Sequence, residues 1–208
     1  MKRTVLAVIS AFALSLASSA HAAPITIVDT GPASGPFNWD LGTSVVDSAE
    51  VWLAAEFDVS APVMVTSVEG WISPVISGDV AFSIYSDGGE WPGVLLHSSV
   101  VTLAAAVGPS WLGATGLGWV LAPGTYWVTY ETPAASTFSG SMPSSSGSPL
   151  GNEAFQVHNG PYPLWSEDDS IDLGVRILGD DEITSVPEPA SLLLVGSGLL
   201  GLYVHRRR

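Results

Sequence analysis

The chain contains no cysteine. Disulfides therefore cannot staple it, and thiolate metal centres and cysteine nucleophiles are excluded. Positive charge is almost as scarce. The 208 residues include 20 acidic and 6 basic side chains. Lys2, Arg3, Arg206, Arg207 and Arg208 stand near the two ends, so Arg176 is the one Lys or Arg between Ala23 and Val186. That stretch holds 19 acidic residues and a formal charge near −18. Such a surface repels phosphate backbones, which argues against nucleic acid as a partner. It also repels anionic lipid and anionic polysaccharide unless cations bridge the two. Solubility is the simplest consequence of the charge. Histidine is limited to His21 and His205 at the ends and to His97 and His158 in the body. Neither body histidine is accompanied by a Gly-x-Ser-x-Gly elbow or a His-Glu-x-x-His pair, and no Gly-rich phosphate loop opens a helix. Helical periodicity is missing as well; no long stretch of the body repeats at 3.6 residues.

The two ends are the most explicit parts of the chain. Lys2 and Arg3 precede an apolar run from Val5 to Leu16, and Ala20-His21-Ala22 follows as a small-x-small cleavage site. This is the order of a secretory signal peptide over residues 1–22, cut by signal peptidase between Ala22 and Ala23. At the other end stand Val186-Pro187-Glu188-Pro189, an apolar run of 15 residues from Ala190 to Val204, and His205-Arg206-Arg207-Arg208. The run is short against the roughly 20 residues of a usual membrane span. Gly196, Gly198 and Gly201 weaken it as a helix and permit close helix packing. The arginines hold the extreme end on the cytoplasmic side. Pro187 and Pro189 keep Glu188 extended and accessible. The physical reading is a stop-transfer helix that parks the body outside the membrane.

Motif, apolar run and basic cluster together resemble the PEP-CTERM signal of exported bacterial proteins. The resemblance implies handling by an exosortase-like transpeptidase, cleavage near Pro187, Glu188 and Pro189, and transfer of the body to another acceptor. The membrane anchor would then be temporary, much as a GPI tail is removed.

The stretch between the signals suits one domain, taken as residues 23–179 with an acidic linker at 180–186. It reads as β throughout. Val51, Leu53, Ala55, Phe57 and Val59 alternate with Trp52, Glu56 and Asp58. Val80, Phe82 and Ile84 alternate with Ala81, Ser83 and Tyr85, and Tyr126, Val128 and Tyr130 with Trp127 and Thr129. Ile171, Leu173, Val175 and Ile177 alternate with Asp172 and Arg176. A period of two marks half-buried strands. Weaker strand candidates are 25–28, 64–73, 94–103, 117–121 and 154–158. Gly and Pro turn signals near 78, 88, 92 and 123 separate several of them. The stretch 132–151, rich in Ser, Pro and Gly, reads as a long surface loop. The prediction is an all-β, two-sheet sandwich of jelly-roll type with eight or nine strands, flanked by the signal helix and the short membrane helix. The run from Phe82 to Gly93, followed by Leu121 to Val128, resembles a β-sandwich module found ahead of PEP-CTERM tails. That module shares its shape with carbohydrate-binding sandwiches, and shape does not give function.

Three kinds of side chain could carry chemistry. Aromatic faces stack on sugar rings. Trp52 and Trp127 lie opposite the more apolar row of their strands and Trp91 lies in a turn, so these three are the candidate glycan contacts. Packing of the rings into the protein is the competing reading. Loops dense in Asp and Gly suit calcium. Asp87 with Glu90, and Glu167, Asp168, Asp169 and Asp172, are the candidates, against the reading of a solvated acidic surface. A glycoside hydrolase needs two carboxylates across a cleft, which sequence does not locate. The leading expectation is a non-enzymatic, exported component of the cell surface or extracellular matrix with a structural or adhesive role. A carbohydrate-binding module for extracellular polysaccharide, aided by calcium, is the alternative, and a hydrolase the third.

Overall fold

The computed structural model describes residues 24–33, 38–43, 49–144, 150–158, 164–167 and 171–180. The signal-peptide, sorting-motif and terminal-arginine residues named above lie outside them, as do Asp168 and Asp169. The body is all-β as expected, and no helix occurs among the described residues. Among the described residues twelve strands follow one another, where eight or nine were expected: β1 (Ile25–Asp29), β2 (Asn38–Thr43), β3 (Glu50–Val59), β4 (Val63–Ile76), β5 (Gly78–Asp87), β6 (Pro92–Leu103), β7 (Ser110–Leu121), β8 (Gly124–Glu131), β9 (Ser139–Pro143), β10 (Glu153–His158), β11 (Ser166–Glu167) and β12 (Val175–Asp180).

All named strand pairs are antiparallel, and the strands form one curled sheet in the order β1-β12-β4-β9-β2-β3-β8-β5-β6. β7 adds to β4, β10 to β3, and β11 to β10. The curl is made by β4, which has 14 residues. Its first part pairs with β12 and β7. From Ser73 to Ile76 it pairs with β9 instead, with a register shift at Pro74. Proline has no N–H to give a ladder and is confined to edges and irregular points of a sheet, so the changeover falls where the sequence requires a break. β4 therefore feeds two arms: β1, β12 and β7 on one, and β9, β2, β3, β10, β11, β8, β5 and β6 on the other. At the far side of the first arm, Ile25 of β1 lies opposite Gly179 of β12.

The alternating rows face inward and meet between the arms. Leu53, Phe57, Phe82, Ile84 and Val128 from one arm share a core with Val65, Val68, Val175 and Ile177 from the other. Tyr130 is fully buried, stands edge-on to Phe82 at 5.7 Å, and donates its hydroxyl to the Glu69 carbonyl oxygen at 3.1 Å. That bond links β8 to β4 through the core. Gly70 leaves the room for it: a Cβ there would stand 2.9 Å from the Tyr130 ring and 3.0 Å from the Met142 methyl. Residues 24–181 form a compact unit of their own.

The stretches 132–144 and 38–43 depart from expectation. The Ser-rich stretch expected to be a loop contains β9, whose neighbour Phe138 and own Met142 are fully buried. Gly42 in β2 has φ +79°, and a Cβ there would lie 2.5 Å from the Phe138 carbonyl oxygen. Only glycine combines that backbone conformation with that approach.

Candidate functional site

The outer surface of the second arm gathers most of the residues singled out above. Register sets them side by side. Trp127 of β8 lies opposite Tyr85 of β5 and Glu56 of β3. Ala54 lies opposite Thr129 and Ala154. The small Ala54 and Ala154 leave space over the sheet, and Trp127 fills it, with Tyr85, Trp91 and Trp165 packed around. The loop after β5 brings Trp91 into place. Gly89 adopts φ +96°, its N–H donates to Asp87 Oδ1 at 2.8 Å, and the Gly88 N–H donates to the Trp91 carbonyl at 3.0 Å.

Trp127 is completely buried. It offers no open ring face, so its expected role as a glycan contact is corrected: the face opposite the main core is covered too. Its indole N–H reaches Asp87 Oδ1 at 3.4 Å. Trp52 and Trp91 are half-buried. Trp52 donates its indole N–H to Thr132 Oγ1 at 3.1 Å, and that hydroxyl donates to Glu50.

The carboxylates of this surface are bound up in the protein. Glu56 Oε2 accepts the Asn152 N–H at 3.0 Å. Asp58 accepts the Thr125 hydroxyl at 2.7 Å, and Glu131 that of Thr129. Burial, the nearby Glu131 charge and a hydrogen bond to Glu131 push the Tyr85 hydroxyl well above the ordinary phenol range, so it stays protonated. Asp87, expected as a calcium ligand with Glu90, spends Oδ1 on Gly89 and Trp127. Glu167 stands in β11 and Asp172 just before β12. Among the described residues no three His, Cys, Asp or Glu side chains gather as a metal site.

Two further polar features escaped the sequence reading. Arg176 pairs with Glu69 and lies over the Trp111 ring at 4.5 Å, while Trp111 meets Trp71 edge-on at 5.3 Å. The body's one arginine is thereby neutralised and stacked. Glu153 is 8% exposed, and its Oε1 accepts the Leu173 N–H at 2.7 Å. Burial pushes its carboxyl up to about 7, the Leu173 bond opposes the shift, and Asp172 adds to it. Glu153 occupies an inward position of β10, where alternation alone would place an apolar residue. That polar intrusion was its one signal in the sequence. His97 lies on β6 and stacks on Trp119 at 5.3 Å with the rings 8° from parallel.

What the surface does not specify, the tail does. The stretch from Ser185 joins Pro187, Glu188 and Pro189 to the apolar run and the arginines. Residues 185–208 match the PEP-CTERM protein-sorting motif. The PEP-CTERM motif implies an exported protein recognised by an exosortase and processed at the membrane, and it suggests cargo rather than an enzyme. No curated protein and no solved structure matches the chain. No helix among the described residues is long and apolar enough to cross a membrane. The apolar run of the PEP-CTERM tail lies outside those residues.

Proposed function

We propose that the chain is delivered as a precursor, freed of residues 1–22 by signal peptidase, held briefly by its 187–208 tail, and passed by an exosortase to the cell surface or extracellular matrix. Its β body, residues 23–179 with a linker at 180–186, then serves a structural or adhesive role without catalysing a reaction. The observation that carries this reading is the PEP-CTERM match at residues 185–208. The surface carboxylates that accept hydrogen bonds from their own neighbours support a structural body over a hydrolase. The shared core between the two arms of the curled sheet supports a sandwich in the jelly-roll manner.

The test is processing in the native host. The wild-type chain loses its tail and leaves the membrane fraction, whereas Glu188→Ala, or the wild type in an exosortase-null strain, accumulates as a membrane-bound precursor. Equal processing in all three overturns the proposal.

A second reading, glycan binding, is favoured by half-buried Trp52 and Trp91 on the same outer surface. It requires saturable co-sedimentation with the host's extracellular polysaccharide, with or without calcium, that Trp52→Ala and Trp91→Ala abolish. Binding untouched by both substitutions sinks it.

A further inference from the structure

Among the described residues no ladder closes the curled sheet. β6 is hydrogen-bonded to β5 and β7 to β4, and these two strands end the arms on one side. His97 and Trp119 stack across the seam between them. Neither strand contains a charged residue. Along β6, Val94, Leu95, Leu96 and Val100 are 70%, 49%, 43% and 56% exposed, and Val120 of β7 is 58% exposed. A neutral apolar strip thus runs down one side of a body whose formal charge is near −18. Sheets ordinarily guard an edge with short strands, lysines or inward charges. β6 has 12 residues and none of those charges; Pro92 and the register shifts beside Tyr85 interrupt its first part, and its ladder is regular from His97 to Leu103.

We infer that β6 pairs with β6 of a second copy of this chain, edge to edge and antiparallel, about a twofold axis that crosses the strand. Charge selects this occupant. Two copies meeting through most of their surface bring carboxylates against carboxylates, and β6 lets them meet without doing so. An antiparallel strand is also self-complementary: the twofold sets the same apolar side chains against each other and continues the main-chain ladder. A cationic partner would be drawn to the acidic surfaces instead. The repulsion left between two highly acidic bodies is long-ranged, so salt strengthens this pairing, whereas salt weakens a contact made by ion pairs.

The test uses residues 23–186, which include the compact unit 24–181 with its own core. Sedimentation velocity shows a monomer–dimer equilibrium, with the dimer fraction rising as sodium chloride goes from about 20 mM to about 500 mM. Leu95→Lys with Val100→Lys raises the dimer dissociation constant about tenfold or more, because apolar contacts across the new ladder are replaced by like charges brought together by the twofold. The melting temperature of this variant stays close to wild type, since both side chains are exposed in the monomer. The cysteine-free chain permits a second measurement. Among Val94→Cys, Leu96→Cys, Ser98→Cys and Val100→Cys, oxidative cross-linking peaks at the position nearest the axis and falls away on both sides. Val75→Cys, 60% exposed on β4, stays uncross-linked. A chain that remains monomeric at every salt and protein concentration overturns the inference. So does a dimer that survives the two lysines, or cross-linking at Val75→Cys equal to that on β6.

Discussion

Replacing Glu153 with glutamine should remove a pH-dependent cost from the fold. Glu153 is almost fully buried, and burial raises its carboxyl from 4.5 to about 7. A raised acid pKa means that the folded chain keeps a proton which the unfolded chain releases. Stability from this group is therefore fully present below about pH 4.5 and declines as pH climbs toward about 7. At 1.36 kcal/mol for each pKa unit, the full loss is about 3 kcal/mol, of which about 2 to 3 kcal/mol falls between about pH 5 and pH 8. Glutamine keeps the carbonyl-type acceptor for the Leu173 N–H and never ionises. The assay is urea unfolding of wild type and Glu153→Gln at both pH values. The other 18 acidic residues of the body titrate in both proteins and largely cancel in the difference. Glu153→Gln should be near wild type or slightly more stable at about pH 5, and more stable by a further 2 to 3 kcal/mol, roughly, at about pH 8. A stability difference that does not change with pH refutes the buried, proton-holding role of Glu153.

Four other outcomes follow from packing. Gly42→Ala combines left-handed backbone strain with contact against the Phe138 carbonyl and should cost about 2 to 4 kcal/mol in urea unfolding. Gly31→Ala, with φ +73° and nothing within 4 Å, should cost only about 1 kcal/mol, so the gap between them measures the close approach. Tyr130→Phe removes the hydroxyl bond from β8 to β4 and should lower stability by about 1 to 2 kcal/mol without changing the far-ultraviolet circular dichroism spectrum. Trp127→Ala empties a fully buried site and should cost about 3 to 5 kcal/mol; a near-neutral result would mean that the ring is open to solvent after all.

Where strands alternate cleanly, sequence and structure agree residue by residue. The rows of Leu53 and Phe57, Phe82 and Ile84, and Val128 and Tyr130 are buried as expected, while Ala54, Ser83, Trp127 and Thr129 of the alternate rows are buried as well. Ile171 and Leu173 extend the row of Val175 and are buried, although the strand itself begins at Val175. β9 was illegible because Ser139-Gly140-Ser141-Met142-Pro143 has turn composition. Its strand state comes from pairing with β2 and β4, and a Cβ at Gly140 would stand 2.8 Å from the Ser73 carbonyl. Small residues there serve close approach, which looks like a loop from sequence alone. Trp127 lies on the face expected of it, and only its cover was illegible. Period two assigns it to the second face of β8, and it carries no information that Trp91 and Trp165 cover that face as well. The PEP-CTERM tail was legible because its three parts adjoin in the chain. Glu153, Leu173 and Asp172 act together only after folding has brought them near.

The place of β12 bears on how the body would carry mechanical load. It is the last strand among the described residues, and it lies between β1 and β4 with ladders on both sides. A body fastened through residues beyond Asp180 and tugged along that strand would load both ladders in shear, where many hydrogen bonds must yield together. The same strand placed at an edge and pulled sideways would peel, one bond after another. Insertion between two neighbours would make β12 a clamp in a body held through its tail.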